Sequence, residues 1–255
     1  VDDQDDSARS IPIESFRPTL RPPIANLTIF DDGEKDGEIV RLRREEYFIG
    51  RSQGDIQIAH DSLISDPHLS LRRDRTDNGY LWIVSDLESR TGLWMRVRRI
   101  ELREETEFLL GRGCYRFRTA VADPSEIDNS LEACVNRGSL FGQTMDTNLD
   151  GFTCAYPTLE SIDRDNGPGT KAAKKLILVD NEYWIGRDVS CGLRASSDTF
   201  LMPRHCRIFS EGGKWFAESM PGPNGMWIRR LRIIVDSSST FQIGEQRFRL
   251  VCSQK

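Results

Sequence analysis

The 255-residue chain is 38% hydrophobic and 29% charged, with five Trp and twelve Phe, a composition that folds rather than stays disordered. A net charge of -5 lacks the basic footprint of a nucleic-acid binder, and no apolar run approaches the roughly 20 residues of a membrane-spanning helix. Six cysteines (Cys114, Cys134, Cys154, Cys191, Cys206 and Cys252) stand without CxxC pairs or histidines at metal spacing. They are expected to be free thiols of an intracellular, cytoplasmic protein that holds no metal and no cofactor.

Residues 1–23 open with Asp2, Asp3, Asp5 and Asp6 and run through Pro18, Pro22 and Pro23, an acidic arm expected to be flexible or extended. Between 24 and 119 short apolar stretches alternate with Asp-Gly, Asn-Gly and Gly-Arg turns, which predicts strands at 25–30, 38–42, 47–49, 56–59, 68–72, 80–84, 93–97 and 114–118. Asp123-Pro124-Ser125-Glu126 reads as a helix start, with proline in the first turn and acids at the positive end of the helix dipole. A short helix to about 136 is therefore placed in a linker spanning 120–155, and a second unit follows at 156–255.

That second unit repeats the first. Tyr47-Phe48-Ile49-Gly50-Arg51 returns as Tyr183-Trp184-Ile185-Gly186-Arg187. Asp61, Ile64 and His68 return as Asp198, Leu201 and His205; Trp82, Gly92, Trp94, Phe108 and Gly111 return as Trp215, Gly225, Trp227, Phe241 and Gly244. A period above 100 residues means duplicated domains, not a solenoid. The recurring tryptophans are expected in the core. The arginine clusters after two of them (Arg96, Arg98, Arg99 and Arg229, Arg230, Arg232) are expected on a solvated strand face.

Gly-Arg, then Ser-x-x-His, then a polar residue before Gly after a Trp-containing strand, in two strand-rich units, is similar to the forkhead-associated (FHA) domain. The resemblance implies an all-β chain of two FHA-like β-sandwich domains in tandem with a short helix-containing linker. It implies a loop end that binds phosphothreonine peptides through Arg-based recognition. In the first unit the phosphopeptide-binding residues would be Arg51, Ser65, Ser52, Thr91 and Arg90, with Arg51 and Ser65 on the phosphate. In the second they would be Arg187, Arg204 and Asn224, forming a weaker site. Gly50, His68, Gly92, Gly186, His205 and Gly225 are the matching structural positions, the histidines bracing the loops from within rather than acting as catalytic bases.

Each unit departs from the family's pattern. Thr91 stands where the family's Asn holds the peptide backbone, at a cost of about 0.5–1.5 kcal/mol for the lost contact. Asp66 sets a second anion beside Ser65. In the second unit Asn224 is present, but Met202 replaces the Ser, forfeiting about 1.5–3 kcal/mol of charge-assisted hydrogen bonding. The expected function is non-enzymatic phosphothreonine-peptide recognition through the first unit, with the second degenerate and no role for nucleic acid or membrane. The alternative on the same residues is a phosphate-independent scaffold or dimerisation module, with an unphosphorylated protein partner or self-association. No nucleophile-base arrangement, P-loop or metal cluster points to an enzyme.

Overall fold

The computed structural model describes residues 25–31, 36–77, 79–119, 156–162 and 174–252, and the regular structure in them is all β. The expected helix at 123–136 lies outside these residues. The first repeat forms β1 (Ala25–Phe30), β2 (Gly37–Leu42), β3 (Glu46–Gly50), β4 (Ile56–Gln57), β5 (Leu69–Thr76), β6 (Gly79–Asp86), β7 (Leu93–Val97), β8 (Arg99–Leu102), β9 (Thr106–Leu110) and β10 (Gly113–Arg118). The second forms β11 (Thr158–Ile162), β12 (Lys174–Ile177), β13 (Glu182–Gly186), β14 (Leu193–Arg194), β15 (Cys206–Glu211), β16 (Lys214–Ser219), β17 (Met226–Arg230), β18 (Arg232–Val235), β19 (Ser238–Ile243) and β20 (Gln246–Cys252).

Period-two burial explains most of these strands. Tyr47 and Ile49 of β3 point inward, and Phe248 and Leu250 of β20 are buried between the more exposed Arg247 and Arg249. β8 and β9 are missing from the sequence expectation because they open within a charged run, 98–107, whose apolar residues are Ile100 and Leu102.

The strands form three sheets. A ten-stranded sheet, in the order β12-β11-β10-β9-β17-β7-β19-β20-β1-β2, takes strands from both repeats. The sheet β18-β6-β5-β3-β4 packs on one part of it, and the sheet β14-β13-β15-β16-β8 on another. Two sandwiches result, but their strands are not sorted by repeat. Unit 1 consists of β1 to β7 together with β18, β19 and β20 from the end of the chain; unit 2 consists of β8 to β17. The cores thus divide at Arg98 and Leu231, not between 119 and 156 as the repeat suggests.

The connections account for the exchange. One residue, Arg98, separates β7 from β8, and one residue, Leu231, separates β17 from β18. A tight reversal needs about two residues, so the chain runs on from the shared sheet into the facing sheet of the other unit. There β18 pairs with β6 and β8 with β16. Where they cross, β7 and β17 pair antiparallel, in a register that sets Trp94 opposite Arg229 and Trp227 opposite Arg96.

Each core is therefore made by both repeats. In unit 1, Leu27, Ile49, Leu71 and Trp82 pack with Phe241 and Phe248, whose rings stack at 5.3 Å. In unit 2, Phe108 stacks on Tyr115 at 5.6 Å and packs with Ile185, Ile208 and Met226. Trp94 and Trp227 are buried as expected, but in a separate cluster with Leu109 and Cys114.

Candidate functional site

Three loops meet at one end of unit 1: residues 51–55 after β3, 58–68 between β4 and β5, and 87–92 between β6 and β7. They bring together Arg51, Ser52, Ser65, Arg90 and Thr91. Gly50 permits the first loop to close on the second, because a Cβ there would stand 2.4 Å from the Gln53 carbonyl and 2.8 Å from Asp66 Oδ1. The Arg51 amide then donates to the Ser65 carbonyl at 3.2 Å. Its side chain is 48% exposed, with Nε 3.9 Å from Asp66 Oδ2.

Ser65 Oγ accepts a hydrogen bond from the Arg90 amide at 3.0 Å, leaving its own O–H free to donate. The Arg90 guanidinium donates to the Ser62 carbonyl at 3.0 Å, and Thr91 Oγ1 donates to the Leu63 carbonyl at 2.9 Å. Trp94 fixes this turn from below, its indole N–H donating to the Thr91 carbonyl at 2.8 Å.

His68 is the internal brace. Its Nδ1 accepts from the Ser65 amide at 3.0 Å, so the proton sits on Nε2, which faces the Gly92 carbonyl at 3.2 Å. Burial lowers its pKa, outweighing the opposing pull of the Gly92 carbonyl, Asp86 and Asp61.

Asp66, the second anion beside Ser65, is engaged within the loops. Its carboxylate accepts from the Ser52 amide at 2.6 Å, the Ser52 hydroxyl at 2.6 Å and the Gln53 amide at 2.9 Å. The two Ser52 hydrogen bonds above all, with that of the Gln53 amide and the charge of Arg51, bring this carboxyl down to about 2. A protein anion thus already occupies donors of the Arg51 loop.

Unit 2 repeats the scaffold bond by bond. Asn224 Nδ2 donates to the Phe200 carbonyl at 2.9 Å, Trp227 Nε1 donates to the Asn224 carbonyl at 2.8 Å, and His205 lies between the Met202 amide (3.2 Å) and the Gly225 carbonyl (2.9 Å). The chemistry on this scaffold differs. Met202 supplies no donor, Pro203 stands where Asp66 does, and the exposed Arg187 side chain has no partner among the described residues. Arg204 is drawn aside to Ser190 Oγ at 3.2 Å, its guanidinium 5.5 Å from the centre of the Trp184 ring.

Two further features tie the sites to the opposite repeat. Asp61 accepts from the Leu63 amide at 2.9 Å and from the Glu245 amide at 2.6 Å; Asp198 accepts from the Phe200 amide at 3.0 Å and the Arg112 amide at 2.8 Å. The matching glycines Gly244 and Gly111 turn at φ 56° and 57°, and a Cβ on either would stand 2.3 Å from the carboxylate. The arginines of the crossing strands also reach over. Arg229 lies on Gly92, its Nε 2.8 Å from where a Cβ would stand, and bonds Glu107 at 2.9 Å; Arg96 donates to the Gly222 and Pro223 carbonyls at 2.9 and 3.1 Å. The recurrence of Asp61 and Gly111 as Asp198 and Gly244 is the sequence trace of this anchoring. Arg96 and Arg229 are exposed, as expected of a solvated strand face, and in addition contact the opposite unit's loops.

Comparison with known families gives one match: residues 47–111 fit the FHA domain. Neither the curated proteins nor the solved structures gave a significant match. The matched stretch contains Gly50, Arg51, Ser65, His68 and Gly92, and the fold divides it, with β3 to β7 in unit 1 and β8 and β9 in unit 2. FHA domains are phosphothreonine-binding interaction modules, not enzymes, and the match supports that general class for this part of the chain.

Proposed function

We propose that the protein is a non-enzymatic adaptor that recognises a phosphothreonine peptide through unit 1, and that unit 2 is a second FHA-like sandwich with a degenerate phosphate site. The observation that carries this is the convergence of Arg51, the free O–H of Ser65 and the Ser52 donors on one loop end. A phosphothreonine brings about -1.5 to -2 charges and three strong acceptor oxygens, enough to compete with a single carboxylate for these donors. Arg90 and Thr91 flank the seat, where Thr91 holds a loop carbonyl as Asn224 does in unit 2. The repeated hydrogen bonds of the histidine, the tryptophan and the aspartate support reading unit 2 as the same fold. The described cysteines are free thiols, which suits the reducing cytoplasm.

The Asp66 carboxylate favours a second reading, in which unit 1 keeps the fold as a phosphate-independent scaffold. Capture from paired peptide libraries, one centred on phosphothreonine and one on threonine, separates the two. Enrichment from the phosphorylated library by the intact chain, lost in Arg51→Ala, is the expected result. Equal capture from both libraries would establish the scaffold.

A further inference from the structure

The loop end of unit 2 combines unpaired positive charge with exposed apolar side chains. Arg187 and Arg98 are exposed, and neither side chain has a partner among the described residues. Arg98 comes from the first repeat and lines a cleft of 280 Å³ with Arg96, Ser219, Met220, Gly222 and Gly225. The cleft is linked to Arg187 through Met202: the Met202 carbonyl accepts from the Arg187 amide at 3.2 Å, and its sulfur lies 3.1 Å from where a Cβ on Gly222 would stand. Phe200 and Met220 are exposed beside these loops.

This surface suits a carboxylate better than a phosphate. A dianionic phosphate needs several donors, and Met202 contributes none where unit 1 has Ser65. Asp188, at the position of Ser52, is itself an anion, held by the amide and hydroxyl of Ser190 at 2.8 Å each. A carboxylate is satisfied by one guanidinium fork, which Arg187 has unengaged. Methionine side chains adapt to varied apolar partners.

We propose that unit 2, completed by Arg98 of the first repeat, binds an unphosphorylated peptide that presents a carboxylate to Arg187 and apolar side chains to Phe200, Met202 and Met220. The two units then read different chemistry: a modified threonine in unit 1 and a genetically encoded acid in unit 2.

The test uses the full chain carrying Arg51→Ala, so that unit 1 is silent and a failure here leaves its reading untouched. Fluorescence polarisation is measured with peptides whose centre is Ala, Thr, phosphothreonine, Asp or Glu and whose flanks are mixtures of Leu, Ile, Met and Phe. Asp and Glu peptides are expected to bind at least tenfold more tightly than Ala and at least as tightly as phosphothreonine. Adding Arg187→Ala should remove that tenfold preference, Arg98→Ala should weaken it and steepen no salt dependence, and Met202→Ser should move the preference towards phosphothreonine. Phosphothreonine favoured tenfold over Glu in this background and lost with Arg187→Ala would make unit 2 a phosphate reader. Equal affinity for Ala and Glu peptides, or no binding of any, would equally overturn the proposal. Arg187→Lys, which keeps the charge but not the fork, should retain less than half of the preference and guards against a loss caused by misfolding.

Discussion

Asp61 in the first repeat accepts a hydrogen bond from the backbone amide of Glu245 in the second, at 2.6 Å across 184 positions of chain. The same carboxylate holds the Leu63 amide, two residues before Ser65. The loop that would present Ser65 to a phosphate is thus fastened to a hairpin supplied by the other repeat. Asp198 and Arg112 return the arrangement in unit 2.

Replacing Asp61 by Ala leaves both amides without their acceptor. A loss of about 1–3 kcal/mol in unfolding free energy is expected, measured as a lower urea midpoint. Asp198→Ala should do the same through unit 2. A midpoint unchanged in both variants would mean that water replaces the carboxylates without cost.

The nesting of unit 2 within unit 1 makes a prediction about fragments. A piece spanning 98–231 contains every strand of unit 2 and should give a dispersed amide NMR spectrum by itself. A piece spanning 24–119 lacks β18, β19 and β20, and with them Phe241 and Phe248 of its core, so it should not fold. Removal of such buried aromatics costs about 3–5 kcal/mol for one residue alone. A well-dispersed spectrum from 24–119 would favour sorting by repeat.

Stability should depend on pH through His68. Its folded pKa is lowered by burial below the ordinary 6.5, so the unfolded chain binds the proton more readily. Its contribution is complete above about pH 6.5 and is lost as pH falls through the lower, folded value. Thermal unfolding between pH 7 and 5 should show this decline, and His68→Ala, though less stable throughout, should flatten the part of it that His68 causes. An unchanged slope in the variant would assign the decline to other groups.

Two substitutions should strengthen phosphate recognition in unit 1. Thr91→Asn keeps a donor for the Leu63 carbonyl and adds an amide oxygen, worth about 0.5–1.5 kcal/mol in peptide affinity. Asp66→Asn removes the competing charge while retaining an acceptor for the Ser52 and Gln53 donors, and should raise phosphopeptide affinity roughly three- to tenfold. Calorimetric titration of one phosphopeptide against the three chains checks both. A weaker Asp66→Asn variant would show that the carboxylate organises the seat instead of blocking it.

Much of the fold can be read from the alternation of Tyr47 with Ile49 or Phe248 with Leu250, and the repeat itself from residue pairs such as His68 and His205. The exchange cannot be read that way. Phe108 and Phe241 are equivalent positions, so either fills the same place in either sandwich, and an apolar pattern states that a strand is buried without stating against which copy. The one-residue connections at Arg98 and Leu231 are the local clue, visible once the strand ends are known. At the site, the residue types were legible and their commitments were not. Ser52 reads as a phosphate donor but is bonded to Asp66, and Arg229, exposed as read, also lies on Gly92.

The most direct measurement is the ratio of affinities for the phosphorylated and unphosphorylated forms of one captured peptide, by calorimetry, in the intact chain, Arg51→Ala and Arg187→Ala. Phosphate-dependent reading by unit 1 requires a ratio of at least tenfold in the intact chain, kept in Arg187→Ala and reduced to about one in Arg51→Ala. A ratio near one in the intact chain, or one that survives Arg51→Ala, would contradict it.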